Sequence, residues 1–165
     1  MADASNRLIP RLAHLVSRFF DVLLARPLAP VEQSRVASLL RPAEAALFWE
    51  QPVADQRHGL VASDRVLSSE PERPDLRRAA LLHDVGKRRS RLGAFGRSAA
   101  SLAGILHIPV SRRFRTYLDH GPVGAEDLRA AGAETLAVEF AAAHHGVRPT
   151  AINPSDWRTL IDADS

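Results

Sequence analysis

The sequence predicts an all-α fold, and three observations predict it. Apolar residues recur at helical spacing in segment after segment. No run alternates apolar and polar residues as a half-buried strand would. Prolines and glycines fall where helices start and stop. At 165 residues the chain fits one domain with a small appendage, and 45% hydrophobic with 25% charged residues reads as soluble and globular. No stretch reaches the ~18 uncharged apolar residues of a membrane span, and the first residues do not read as a secretory signal. Cysteine is absent, so any metal must be held by imidazole and carboxylate. That composition suits a reducing cytoplasm, which is the expected location.

Taken in order, residues Arg7 to Ala25 predict an amphipathic helix, with Leu8, Leu12, Leu15, Phe19, Val22 and Leu23 on one face and Arg7, Arg11, His14, Arg18 and Asp21 on the other. Its expected role is packing on the main domain or on a second copy of the chain. A break at Arg26 to Pro30 leads to a second helix over Val31 to Leu40, and Pro42 opens a third that reaches Trp49. Pro52 closes this region, which divides the chain into a helical extension, 1–52, and a main domain, 53–165. Asp55 is placed as the cap of a helix carrying His58, Val61, Val66 and Leu67. Glu70 to Pro74 reads as a turn, and Asp75 as the cap of a helix over Leu76 to His83. Further helices are expected over Ser98 to Leu106, Val123 to Ala131 and Glu134 to His145. His107 falls in a loop. A last helix carries Trp157, Leu160 and Ile161, with Ser155 or Asp156 as its cap.

The stretch Leu81 to Lys87 organises the rest. An adjacent His83-Asp84 pair follows an apolar run and precedes Gly86, placed as the residue that ends the turn, and Lys87, the only lysine in the chain. Imidazole beside carboxylate suits a divalent ion of the Fe, Mn or Zn type. A compact ammonium suits a point-charge task such as holding a phosphate. Net charge is +3, but no acid occurs from Val85 to Leu118, where eight basic residues lie: Lys87, Arg88, Arg89, Arg91, Arg97, Arg112, Arg113 and Arg115. A positive belt beside a metal pair points to an anionic ligand. Aromatic residues make up only 5%, so the belt lacks the stacking platforms of a single-strand binder, and nucleic acid is disfavoured.

Five of the seven histidines, His58, His83, His120, His144 and His145, are placed at helix ends or turns. In the order Gln56-Arg57-His58, Ala79 to Lys87, Asp119 to Ala125, His144-His145-Gly146 and Leu160 to Asp164, the motifs resemble the HD superfamily of metal-dependent phosphohydrolases. The resemblance covers about residues 53–165 and implies a compact HD-domain helical bundle. It implies that His58, His83, Asp84 and Asp164 bind one metal, with Asp162 as the alternative last ligand. It implies that His120, His144 and His145 hold a second, and that Lys87 contacts substrate phosphate. Gly146-Val147-Arg148-Pro149 stands where hydrolases of cyclic di-GMP carry a glycine-tyrosine-proline loop, so that substrate is disfavoured. The compact order is nearer to small HD hydrolases acting on nucleotides, including those that split dinucleoside tetraphosphates.

The expectation is therefore a hydrolase of phosphate esters or anhydrides, with a nucleotide-like substrate and two divalent ions. Fe or Mn is favoured; Zn, Ni, Co and Mg are the alternatives. Asp84 and Lys87 carry the catalytic roles, while Lys87, Arg88, Arg89 and Arg91 hold phosphate. A non-catalytic metal and nucleotide sensor signalling through the N-terminal helices is the rival reading.

Overall fold

A computed structural model describes residues 23–165 except 106 and 107. The expected helix over residues 7–25, with its interface role, lies almost wholly outside the described residues, as does His107. Nine α-helices and one 3-10 helix make up the described chain, without a strand. They are α1 (Pro30–Leu39), α2 (Pro42–Trp49), α3 (Val53–Ser69), α4 (Pro74–Leu82), the 3-10 helix (Val85–Ser90), α5 (Ala94–Ile105), α6 (Arg112–Leu118), α7 (His120–Ala130), α8 (Thr135–Ala143) and α9 (Pro154–Asp164). None of them is long and apolar enough to cross a membrane.

Helix starts follow local chemistry. Proline occupies the first turn of α1, α2, α4 and α9, where its missing N–H is no loss and its fixed φ already fits. In α1 and α2 a glutamate in that turn reaches back to the preceding backbone. Ala29 N donates to Glu32 Oε2 at 2.6 Å, and Arg41 N donates to Glu44 Oε2 at 2.9 Å.

Several expected caps are corrected. Pro52, not Asp55, precedes α3, and Asp55 is buried within its first turn. Arg73, not Asp75, precedes α4, and Asp75 accepts from the Arg73 guanidinium instead. Asn153 caps α9 by accepting from Asp156 N at 2.8 Å. α7 begins at His120 rather than Val123, because Pro122 fits inside a first helical turn as well as at its edge. Arg112–Leu118 forms a helix of its own.

α4 is the central element. It lies between α3 and α8, with α9 across α3 and α4; the 3-10 helix that follows it packs on α7. Leu76, Leu81, Leu82 and Val85 are fully buried among Leu60, Val66, Leu128, Phe140, Ile152 and Leu160. Each such large side chain contributes about 1.5–3 kcal/mol. Val36 of α1 and Phe48 of α2 belong to the same core. Arg78 ties these helices down: it donates to Leu39 O at 2.9 Å and Glu134 Oε1 at 2.7 Å, and lies 3.7 Å from the buried Glu44.

Gly86 is not a turn breaker but a point of close approach. A Cβ there would lie 2.0 Å from His120 O and 2.6 Å from Gly124 N. The 3-10 helix therefore runs against the start of α7 with no room for a side chain.

Candidate metal centre

Three of the histidines are set by one device. Helix C-termini leave carbonyls without intrahelical donors. His83 and His144 cap α4 and α8, and each turns its ring back onto the carbonyl three residues earlier: His83 Nδ1 to Ala80 O at 2.8 Å, His144 Nδ1 to Ala141 O at 2.9 Å. His120, just past α6, does the same to Tyr117 O at 2.7 Å. A carbonyl can only accept, so each Nδ1 carries the proton and each Nε2 is aimed away from its helix. His58 reaches the same place from within α3, not from a helix end.

The Nε2 atoms meet two carboxylates. His58 Nε2 is 2.8 Å and His83 Nε2 is 3.0 Å from Asp164 Oδ1. His120 Nε2 is 3.1 Å and His144 Nε2 is 3.6 Å from Asp84 Oδ1, and the two nitrogens are 3.3 Å apart. His145 stacks its ring 4.0 Å from that of His144 and 5.1 Å from that of His120, centroid to centroid. Three overlapping groups have ligand atoms within 4.8 Å of one another: His58 with His83 and Asp84, His83 with His144 and Asp164, and His120 with His144 and His145. The structure thus brings together His58, His83, Asp84, His120, His144, His145 and Asp164. Of the two terminal aspartates, Asp164 rather than Asp162 stands beside the histidines.

Electrostatics follow from burial and pairing. Burial pushes the His83 imidazole down, but Asp84 and Asp164 outweigh it and raise its pKa to about 9. Burial alone would raise Asp84; Lys87 and His83 instead hold it well below the usual carboxylate range. Asp164 is likewise held far down by its bonds to His58 and His83 despite burial. His145 is lowered to about 4 by desolvation and by His144 and His120. Lys87 Nζ lies 2.5 Å from Asp84 Oδ2, with its side chain only 9% exposed.

These donors fit a divalent cation. Asp84 Oδ1 is buried and accepts no hydrogen bond, because the nearby nitrogens of His120 and His144 have their protons on the other side of the ring. An orphaned buried carboxylate oxygen facing imidazole lone pairs is stabilised by a positive ion placed between them.

Two of the expected phosphate arginines have carboxylate partners. Arg88 bonds Asp127 at 2.9 Å and lies 3.5 Å from Glu50, and Arg89 grips the same Asp127 through two nitrogens. Arg91 is exposed just past the 3-10 helix, with φ at 49°. Arg88 and Arg89 are thus both held by one acid on α7.

A second layer went unread in the sequence. Asp55 and Arg97 are both buried and joined by two bonds of 2.6 Å, while Arg97 also donates to Leu92 O and lies 5.7 Å over the Tyr117 ring. The Asp55 and Asp84 charges both favour the Lys87 ammonium, which burial opposes. The available signal was the spacing: Asp55 stands three residues before His58, and Arg97 shares the small-residue face of Ala100 and Gly104.

A family model described as the HD domain matches residues 35–165. No curated protein and no solved structure matches the chain. The match begins inside α1, before residue 53.

Proposed function

The chain belongs to the HD-domain family, and from that premise we propose that it is a metal-dependent phosphohydrolase acting on a nucleotide-like phosphate ester or anhydride. The observation that carries this reading is the convergence of buried His120 and His144 on the orphaned oxygen of Asp84, next to His83 and Asp164. His58, His83, Asp84 and Asp164 would hold one ion, and His120, His144 and His145 a second with Asp84 between the two sets. When bound, the cations supply Lewis acidity for attack of water at phosphorus. A mixed nitrogen and oxygen set favours Fe or Mn.

The chain's own residues do the rest. The carbonyls of Ala80, Tyr117 and Ala141 fix the ring tautomers, so each Nε2 is presented without rearrangement. Lys87 keeps Asp84 charged and oriented, and its ammonium is the positive group nearest the carboxylate for a phosphoryl oxygen to meet. Asp55 and Arg97 anchor the layer behind it. Neutral His145, the exposed member of the cluster, stands at its solvent side with a pKa of about 4. Phosphate release from a panel of mono-, di- and triphosphate nucleotides with Mn²⁺ or Fe²⁺ tests the reading. Activity that vanishes in His83→Ala supports it, and full activity in that variant overturns it.

One observation favours the sensor reading. Arg57, adjacent to His58, bonds Arg26 O and Pro27 O at 2.9 Å each and pairs with Glu32 at 3.1 Å, joining the ligand-bearing helix to the N-terminal segment. Tight nucleotide binding without turnover in metal-replete protein would favour it.

A further inference from the structure

On the outer side of the 3-10 helix, α6 and α7 enclose a cleft of about 450 Å³, lined by Arg89, Arg112, Arg113, Thr116, Val123 and Glu126. None of these residues belongs to the His/Asp cluster. We propose that this cleft is a second anion site, which takes a phosphate or pyrophosphate group of a small ligand.

The charge around the cleft is not balanced by the protein. Arg89 is paired with Asp127, which Arg88 shares while also lying 3.5 Å from Glu50, so the unbalanced positive charge rests on Arg112 and Arg113. Arg113 is fixed without any acid: its Nε and one terminal nitrogen donate to Ser90 O at 3.2 Å and Arg91 O at 2.7 Å, the carbonyls that end the 3-10 helix. Among the described residues its other terminal nitrogen makes no hydrogen bond, and Arg112 makes no ion pair. Glu126 is the sole acid in the lining. Guanidiniums held together against their mutual repulsion are stabilised by an anion, and a planar fork with free N–H donors suits phosphate oxygens. Arg113 adds little entropic cost on binding, because the backbone already holds it in place.

The test is calorimetric titration of the full chain with inorganic pyrophosphate in chelator, so that no metal links the probe to the His/Asp cluster. One pyrophosphate is expected to bind per chain. Arg112→Glu, a change at an exposed residue, is expected to weaken it by about tenfold or more, the equivalent of one charge-assisted hydrogen bond. Arg158→Glu makes the same charge change on α9, outside the lining, and is expected to leave affinity within about twofold. No binding to the wild type, equal affinity in Arg112→Glu, or binding only of a polynucleotide overturns the proposal. This outcome does not depend on the hydrolase reading, since the assay involves no turnover. Two sources of the phosphate are separated by kinetics. If Arg112→Glu raises KM for a triphosphate nucleotide and not for a monophosphate, the cleft holds the substrate's own distal phosphates. If both KM values stay the same and pyrophosphate alters the wild-type rate but not the variant's, the cleft holds a separate ligand.

Discussion

His120 Nε2 and His144 Nε2 lie 3.3 Å apart, and each ring has its proton on the opposite nitrogen, bound to a backbone carbonyl. Two lone pairs facing each other beside a carboxylate oxygen are unfavourable unless a cation joins them. Metal should therefore stabilise the fold. At a hundredfold excess over its dissociation constant, a ligand specific to the folded state adds about 2.7 kcal/mol. Thermal melts with and without Mn²⁺ should show a clear rise in Tm for the wild type. His144→Ala should lose much of that rise; an equal rise in that variant would remove His144 from the ligand set.

Gly86 makes a second prediction. Its Cβ position is filled by the backbone of α7, which cannot give way as a flexible side chain would. Gly86→Ala should destabilise by about 3 kcal/mol or more and displace Asp84 from His120. Gly93→Ala, with open space at its Cβ, is the control and should change stability by less than about 1 kcal/mol. Urea denaturation of both variants measures the difference.

Asp55 and Arg97 form a buried ion pair. Asp55→Asn leaves a buried guanidinium without its counter-charge, at a cost of about 3–5 kcal/mol. Arg35→Ala breaks an ion pair with Asp64 in which both side chains are over a third exposed, and should cost no more than about 1 kcal/mol. Asp55→Leu combined with Arg97→Met should recover much of the loss. A double variant as unstable as the single one would show that the pair is needed for more than charge balance.

Arg73 holds both Asp75 and Asp156 below the usual carboxylate range, chiefly through its hydrogen bonds. A carboxylate lowered in the folded state binds fewer protons there than in the unfolded chain. Its stabilisation is complete above the ordinary carboxylate pKa and drains away as pH falls through that value towards the folded one. Arg73→Met should therefore lower Tm at pH 7 and flatten its fall on acidification below about pH 4. Parallel slopes for the two proteins would show that this cluster does not contribute to acid sensitivity.

Much of this architecture was legible because it is local. The prolines that open α1 and α2 act within a single turn. The histidines were legible as a set because their types, order and neighbours are written in the chain. The fate of the arginine belt was not. Arg97 meets Asp55 across 42 residues, and Arg89 meets Asp127 across 38, so only the approach of α5 to α3 and of the 3-10 helix to α7 decides which charges cancel. The role of Gly86 was hidden for the same reason. Its absent side chain answers to a backbone 34 residues away, not to its own turn. His120 at the first position of α7 was obscured by Pro122, which reads equally well as a boundary or as part of a first turn.

Elemental analysis of the full chain, purified without chelator, tests the central claim most directly. Two divalent ions per chain in the wild type, with marked loss in His83→Ala, is the predicted result. A chain that carries no metal, and takes up none when Mn²⁺ or Fe²⁺ is supplied, would contradict the account.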